Sequence, residues 1–159
     1  MANYLAAAGV DRDDCVGVNT PQRPAPVISH LAIWKLGGVT VPLSNLFGED
    51  AVSYRLQDCE ATACIVDASN VDALHAVTED ILSLETVLTV GTDSLRDDET
   101  DFWTAITSSS REFENAPTGP ESDTIIAYTS GTTGQPKGVQ HGHRVLLAHL
   151  SLLQHVHEP

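Results

Sequence analysis

Short apolar runs alternate along the chain with segments in which apolar residues recur every three or four positions. The first pattern is typical of buried strands, and the second is typical of amphipathic helices. Strands are predicted at Cys15–Asn19, Val39–Leu43, Ala63–Val66, Thr86–Val90 and Thr124–Tyr128. Because helical segments separate most of these runs, we predict an α/β fold, with a parallel sheet and helices on both of its faces.

Four main helices are predicted from turn residues and helical spacing. They are a helix from Pro24 to the Gly37–Gly38 pair, one that starts at Glu49–Asp50, one capped by Ser69 or Asn70, and one from about Arg144 to the end. The third is predicted to continue to Ile81, because apolar residues recur at helical spacing from Val71.

The segment 108–123 interrupts the alternation of strands and helices. It is rich in Ser, Pro, Gly and Glu, and it is predicted to be a surface linker within the domain. The apolar stretch Leu5–Ala8 looks like the tail of a longer helix, and the chain ends directly after the last helical pattern. We therefore expect the 159 residues to be part of a larger domain.

The composition adds strong acidity to this picture. The chain has 22 acidic and 8 basic side chains and a formal net charge of -14. Nucleic acids and anionic membranes are disfavoured as main partners, because both require clustered Lys and Arg. The acidic residues are spread along the chain, and such a surface repels itself unless salt screens it. We interpret it as the surface of a halophile's protein, with an ordinary acidic protein as the alternative.

The sequence predicts a soluble cytoplasmic protein. The first residues, MANYLAAAGVDRDD, lack the basic start of a signal peptide, and no apolar run reaches the ~18 residues of a membrane span. The three cysteines, Cys15, Cys59 and Cys64, are odd in number and show no paired spacing. They are predicted to be reduced and mostly buried thiols.

One segment, Tyr128–Val139, has a composition that predicts chemistry. It reads Tyr-Thr-Ser-Gly-Thr-Thr-Gly-Gln-Pro-Lys-Gly-Val and follows a predicted buried strand. Glycines let backbone N–H groups turn toward an anion, hydroxyls add donors, and Lys137 adds a compact positive charge. The segment therefore predicts a polyphosphate site, although neither the common phosphate-loop pattern nor the dinucleotide pattern fits it. A flexible surface loop is the alternative.

Tyr128–Val139 resembles the phosphate-binding signature of the AMP-forming adenylating enzymes, which include acyl-CoA synthetases, firefly luciferase and peptide-synthetase adenylation domains. The family pattern is Tyr/Phe-Thr-Ser-Gly-Ser/Thr-Thr-Gly-x-Pro-Lys-Gly-Val, and every fixed position matches. Upstream, Gly9–Val10 followed by Asp13–Val18 is similar to the family's early turn and strand, and His30–Leu43 is similar to its next helix and strand. The segments most similar to acetyl- and medium-chain acyl-CoA synthetases are Leu46–Asp50, Tyr54–Leu56 and His141–Leu147.

The resemblance implies that residues 1–159 are part of an N-terminal AMP-binding (adenylation) domain. Such an enzyme joins a carboxylate to ATP, releases pyrophosphate, and passes the acyl group to coenzyme A. The residues implied to hold the ATP phosphates, with Mg²⁺ sharing their charge, are Thr129, Ser130, Gly131, Thr132, Thr133, Gly134 and Lys137.

His143 is implied to lie near the reacting carboxylate, and a solvated histidine at a helix start is the alternative. The histidines at positions 141, 143, 149, 155 and 157 also raise the possibility of a zinc site. His141 and His143 flank a glycine at a predicted helix start, and no cysteine or acidic residue lies near these two histidines in the sequence, which argues against zinc.

Other parts of the family pattern are absent from these 159 residues. They are the adenine-binding loop, the Tyr-Gly-x-Thr-Glu segment, the ribose-binding aspartate, and the C-terminal domain with its catalytic lysine. We therefore expect the chain alone to be inactive and the complete enzyme to be an acid–CoA ligase of fatty acid metabolism. Two alternatives stay open: a non-catalytic nucleotide-binding module, and an adenylation domain that loads a carrier protein.

Overall fold

The computed structural model describes residues 1–92, 94–129, 134–145 and 147–150. Seven strands in these residues form one sheet: β1 (Cys15–Asn19), β2 (Val39–Pro42), β3 (Ala63–Asp67), β4 (Thr86–Val90), β5 (Glu99–Asp101), β6 (Asp123–Thr129) and β7 (Lys137–Gly142). Their order is β5-β4-β3-β1-β2-β6-β7. Every neighbouring pair is parallel except β6 and β7, which are antiparallel. The predicted α/β fold is confirmed, and the five predicted strands agree with the structure to within one residue at each end.

The described residues also form α1 (Ala2–Ala7), which precedes β1, and the connecting helices α2 (Pro24–Leu36), α3 (Glu49–Asp58), α4 (Val71–His75) and α5 (Phe102–Thr107). Residues 144–145 and 147–150 are also helical. Helix α2 has proline in its first turn and ends at Gly37, whose φ of 84° is the left-handed conformation that glycine adopts readily. Among the described residues, no helix is long and apolar enough to cross a bilayer.

Helices cover both faces of the sheet. Because alternate strand residues point to opposite faces, each strand contributes side chains to both layers. On one face, Val16 and Val18 of β1 pack in a cluster with residues of α1, α2 and α5. On the other face, Cys15 and Cys64 pack with residues of α3 and α4. The third cysteine, Cys59, is half-buried at the end of α3. Burial raises the pKa of the Cys64 thiol to about 12, so this thiol stays protonated in the core.

The predicted helix through Val71–Ile81 is interrupted, so that prediction was wrong in its length. Helix α4 ends at His75, and a separate 3₁₀ turn covers Thr78–Asp80. Leu74, Val77 and Ile81 are nevertheless buried and Val71 is half-buried, so their spacing predicted burial but not one continuous helix. Asn70 is the N-cap residue, but its side chain makes no capping bond. Its amide donates instead to the Asn45 carbonyl at 2.8 Å.

Two strands, β5 and β7, were not predicted from the sequence. Strand β5 lies in an acidic stretch, where Glu99 is buried because its carboxylate accepts hydrogen bonds from Thr89 Oγ1 (3.1 Å) and the His75 ring. Strand β7 is exposed along most of its length, so it lacks the apolar run that marks a buried strand. Because β7 pairs with β6, the sheet ends in an antiparallel hairpin, which the prediction of a parallel sheet did not include.

The segment 108–123 joins α5 to β6 with little regular structure. Backbone bonds attach it to the domain at two places. The Ala116 N–H donates to the Lys35 carbonyl at 2.8 Å, and the His143 N–H donates to the Ser122 carbonyl at 3.1 Å. The linker therefore contacts both α2 and the end of β7.

Candidate functional site

The phosphate-binding signature lies at the turn between β6 and β7, at the edge of the sheet. Its central residues, Ser130, Gly131, Thr132 and Thr133, lie outside the described residues. The two ends of the turn are described, and Thr129 is paired with Lys137 in the β6–β7 ladder. Residues directly opposite each other in an antiparallel pair project from the same face, with Cβ atoms about 4.5–5.5 Å apart. The structure therefore brings together Thr129 and Lys137, two of the predicted phosphate ligands.

Lys137 is exposed, and no ion pair of the described residues involves it. Gly134 has a φ of 99°, which turns the backbone sharply as the chain returns toward β7. The described ends of the turn thus present one ammonium group and one hydroxyl to solvent. A cation without a carboxylate partner nearby suits the binding of an anion.

Helix α3 contacts both ends of this turn. On the returning end, the Tyr54 hydroxyl donates to the Pro136 carbonyl at 2.9 Å. On the entering end, the Tyr128 hydroxyl donates to Asp58 Oδ2 at 2.7 Å. The Tyr54 and Tyr128 rings meet edge to face, with centroids 6.3 Å apart. Burial raises the pKa of the Tyr128 phenol, and the hydrogen bond to Asp58 raises it further, so this phenol remains a donor.

Arg55 lies beneath the hairpin as a buried cation. Its guanidinium is 4.1 Å from the centre of the Phe47 ring and 5.5 Å from that of Tyr128, and it donates to the Ala51 carbonyl at 2.7 Å. Aromatic faces attract guanidinium groups, so the two rings stabilise this charge. These contacts of α3 were not predicted from the sequence. The available signal was the spacing of Tyr54 and Asp58, which places both on one side of a helix.

His143 follows the far end of β7. Its Nδ1 lies 3.5 Å from Thr124 Oγ1, its ring meets Trp34 edge to face, and its buried Nε2 has no hydrogen-bond partner among the described residues. Six strand residues at about 3.4 Å each place it roughly 20 Å along the chain from the phosphate turn. The structure does not bring His143 together with Lys137, and its role near a carboxylate stays a prediction.

The zinc alternative concerned five histidines, of which 155 and 157 lie outside the described residues. In the part of the chain that the structure describes, no group of three or more His, Cys, Asp or Glu side chains could hold a metal ion. His141 instead lines a cavity of about 420 Å³ together with Trp34 and Val145.

The sequence and structure of this chain were compared with those of known proteins. The model of the "AMP-binding enzyme" family matches residues 1–158. The chain is 32% identical over 147 residues to a medium/long-chain-fatty-acid–CoA/3-oxocholest-4-en-26-oate–CoA ligase of Mycolicibacterium smegmatis, with 90% of the chain and 26% of that ligase covered. It is 30% identical over 155 residues to one of the plipastatin synthase proteins of Bacillus subtilis, with 98% of the chain and 5% of that synthase protein covered.

A solved structure gives the same result. The crystal structure of the anthranilate–CoA ligase AuaEII in complex with anthranoyl-AMP matches with a TM-score of 0.89 and 29% identity. The match covers 96% of this chain and 30% of that one. The chain thus spans less than a third of the length of these relatives. Because the family model matches nearly every residue, the chain belongs to the AMP-binding enzyme family.

Proposed function

We propose that this chain supplies the segment that holds the β- and γ-phosphates of ATP in an acyl-adenylate-forming ligase, as part of its N-terminal adenylation domain. The observation that carries the proposal is the pairing of Thr129 with Lys137 at the two ends of the signature turn. The ammonium group of Lys137 is exposed and belongs to no ion pair of the described residues.

The proposed reaction begins with MgATP and a carboxylic acid as substrates. A carboxylate oxygen attacks the α-phosphorus, the bond from that phosphorus to the bridging oxygen breaks, and pyrophosphate leaves. Negative charge builds on the departing oxygens in the transition state. Lys137, Thr129 and the backbone N–H groups of the turn would stabilise that charge, because donors fixed in advance need no reorganisation as it develops.

We propose coenzyme A as the acceptor of the acyl group. This choice is supported by the fatty-acid–CoA and anthranilate–CoA ligases among the relatives. A carrier protein is the second candidate acceptor. It is favoured by the match to the plipastatin synthase protein, which extends over 98% of the chain at 30% identity.

Exchange of labelled pyrophosphate into ATP tests the first step. The complete protein that carries this sequence is expected to catalyse exchange only when a suitable carboxylic acid is added. The 159-residue chain by itself is expected to give only background exchange. Lack of acid-dependent exchange by the complete protein across a panel of short-, medium- and long-chain and aromatic acids would contradict the proposed activity.

A second assay distinguishes the two acceptors. Acyl-adenylate formed on the enzyme is supplied either with coenzyme A or with a phosphopantetheinylated carrier protein, and the thioester is identified by mass spectrometry. We expect the thioester of coenzyme A. Thioester formation only on the carrier protein would support the second candidate while leaving the adenylation step intact.

A further inference from the structure

Among the described residues of the signature turn, the backbone of the returning end accepts a hydrogen bond from one hydroxyl group outside the hairpin. Paired residues of β6 and β7 end at Thr129 and Lys137, so Pro136 lies beyond the last pair. Its carbonyl accepts the 2.9 Å hydrogen bond from the half-buried Tyr54 side chain. This bond therefore fixes the backbone next to Lys137 where the sheet no longer does.

Tyr54 is itself held in place by its surroundings. Its ring lies edge to face against Tyr128, whose hydroxyl is bonded to Asp58 one helical turn farther along α3. Tyr54 and Asp58 belong to the ten-residue helix α3, which packs on the sheet through the fully buried Val52 and Leu56. A donor on a rigid element can hold a turn more accurately than a donor on another loop.

We propose that Tyr54 is a positioning residue for the phosphates of ATP, an inference that rests on the function proposed above. The hydroxyl touches no reacting atom. By holding Pro136, it sets the direction from which Lys137 reaches the β- and γ-phosphates. Without it, the nucleotide itself must fix the backbone at Pro136 and Lys137, and part of the binding free energy is lost to that ordering.

The test removes the hydroxyl and keeps the ring. In the complete enzyme, Tyr54→Phe is expected to raise the KM for MgATP about threefold to tenfold, as for the loss of one neutral hydrogen bond, and to leave the KM for the carboxylate unchanged. Tyr4→Phe is the matched control. Tyr4 lies on α1, on the other face of the sheet, and its half-buried hydroxyl donates to Thr100 Oγ1 at 2.7 Å.

A double-mutant cycle tests whether Tyr54 acts through the lysine. If it does, Tyr54→Phe adds little to the KM defect of Lys137→Ala, because coupled residues are not additive. Equal effects of Tyr54→Phe and Tyr4→Phe on the KM for MgATP would overturn the inference, and so would equal changes in both substrates' KM. In either case, acid-dependent exchange by the wild type would leave the proposed function standing.

A binding measurement keeps the inference testable without turnover. Inorganic pyrophosphate is titrated calorimetrically into the wild-type complete protein and into the Tyr54→Phe and Tyr4→Phe variants. Weaker binding by Tyr54→Phe alone is expected. Equal affinities in all three proteins, or no binding by any of them, would overturn the positioning role even if no carboxylic acid supports exchange.

Discussion

Lys137 carries the sole formal positive charge of the segment Tyr128–Val139. If it stabilises the departing pyrophosphate, Lys137→Ala should slow adenylation by roughly a hundredfold or more, by analogy with the ~2–4 kcal/mol lost on removing one oxyanion donor. The melting temperature should change little, because the side chain is exposed and belongs to no described ion pair. Single-turnover adenylation and thermal unfolding of the complete enzyme measure the two effects.

The chain offers a control for this substitution in Lys35, its other lysine. Lys35 is also exposed, but it lies in the last turn of α2, away from the signature turn. Lys35→Ala should leave the adenylation rate near the wild-type value. Near-equal rates for Lys137→Ala and Lys35→Ala would show that Lys137 is a solvated loop residue, and that phosphate binding depends on hydroxyls and backbone N–H groups.

His30 should make the stability of the chain depend on pH. Its ring stacks on Trp34, with centroids 5.6 Å apart, its buried Nδ1 has no hydrogen-bond partner among the described residues, and burial lowers its pKa below 6.5. Below pH 6.5 the unfolded chain therefore binds a proton that the folded chain resists. This contribution to the free energy of unfolding is complete above pH 6.5 and is lost as the pH falls toward the folded-state pKa.

Urea unfolding between about pH 5.5 and 7.5 measures this effect. His30→Gln removes the titrating ring, so its free energy of unfolding should fall less than that of the wild type as the pH is lowered. The exposed His149 provides the control, and His149→Gln should keep the wild-type slope. Identical slopes in all three proteins would mean that His30 does not set the pH dependence.

At the scale of elements, the end of β7 leaves no room for a side chain at Gly142. An added Cβ would lie 2.7 Å from the Pro120 carbonyl oxygen, which also accepts the Arg144 N–H at 3.0 Å. Backbone cannot move aside as a flexible side chain can, so Gly142→Ala should destabilise the chain by about 1–3 kcal/mol. Gly119→Ala is the control, because nothing lies within 4 Å of its added Cβ. Equal urea midpoints for the two variants would contradict this close contact.

The sequence predicted elements well where burial decided the structure. The buried strand Ala63–Asp67 begins with the continuous apolar run Ala63–Val66, and α2 is bounded by Pro24 and Gly37. Prediction from the sequence failed where tertiary contacts determine the structure. Strand β7 is exposed and forms because β6 offers it an edge, and Glu99 enters β5 because Thr89 and His75 satisfy its carboxylate.

In the candidate site, too, the residues within one sequence motif were predicted, and the residues brought in by tertiary contacts were not. The motif identified Thr129 and Lys137 because its donors are consecutive in sequence. Tyr54 and Asp58 contact the hairpin from a distant part of the chain, 82 and 70 residues away from their partners. Their spacing places both on one side of a helix, but it does not identify what that side contacts. The motif likewise could not show that His143 lies at the opposite end of β7 from Lys137, since that separation depends on an unpredicted strand.

At the scale of the whole molecule, acidic groups greatly outnumber the cations available to them. The 22 acidic side chains face 8 lysines and arginines, and three Lys or Arg ion pairs occur in the described part of the chain. Two of these pairs are highly exposed, and exposed pairs contribute little to stability. Repulsion between the remaining carboxylates should therefore oppose folding in dilute buffer.

Salt should relieve this repulsion. The Debye length falls from ~10 Å at 0.1 M to ~3 Å at 1 M, so most carboxylate pairs are screened at the higher concentration. We expect the melting temperature to rise by on the order of 5 °C between ~0.1 and ~1 M KCl, the shift produced by about 1–2 kcal/mol in a domain of this size. NaCl at equal ionic strength should have nearly the same effect, because screening depends on ionic strength.

Neutralising adjacent acids separates screening from other effects of salt. Asp97 and Asp98 are both exposed, so Asp97→Asn/Asp98→Asn removes two charges without disturbing the core. The double variant should melt above the wild type at ~0.1 M KCl and gain less from added salt, since fewer charges remain to be screened. Circular dichroism followed through thermal unfolding measures both quantities. A melting temperature that does not change with KCl would refute adaptation to high salt and leave simple acidity as the explanation of the charge.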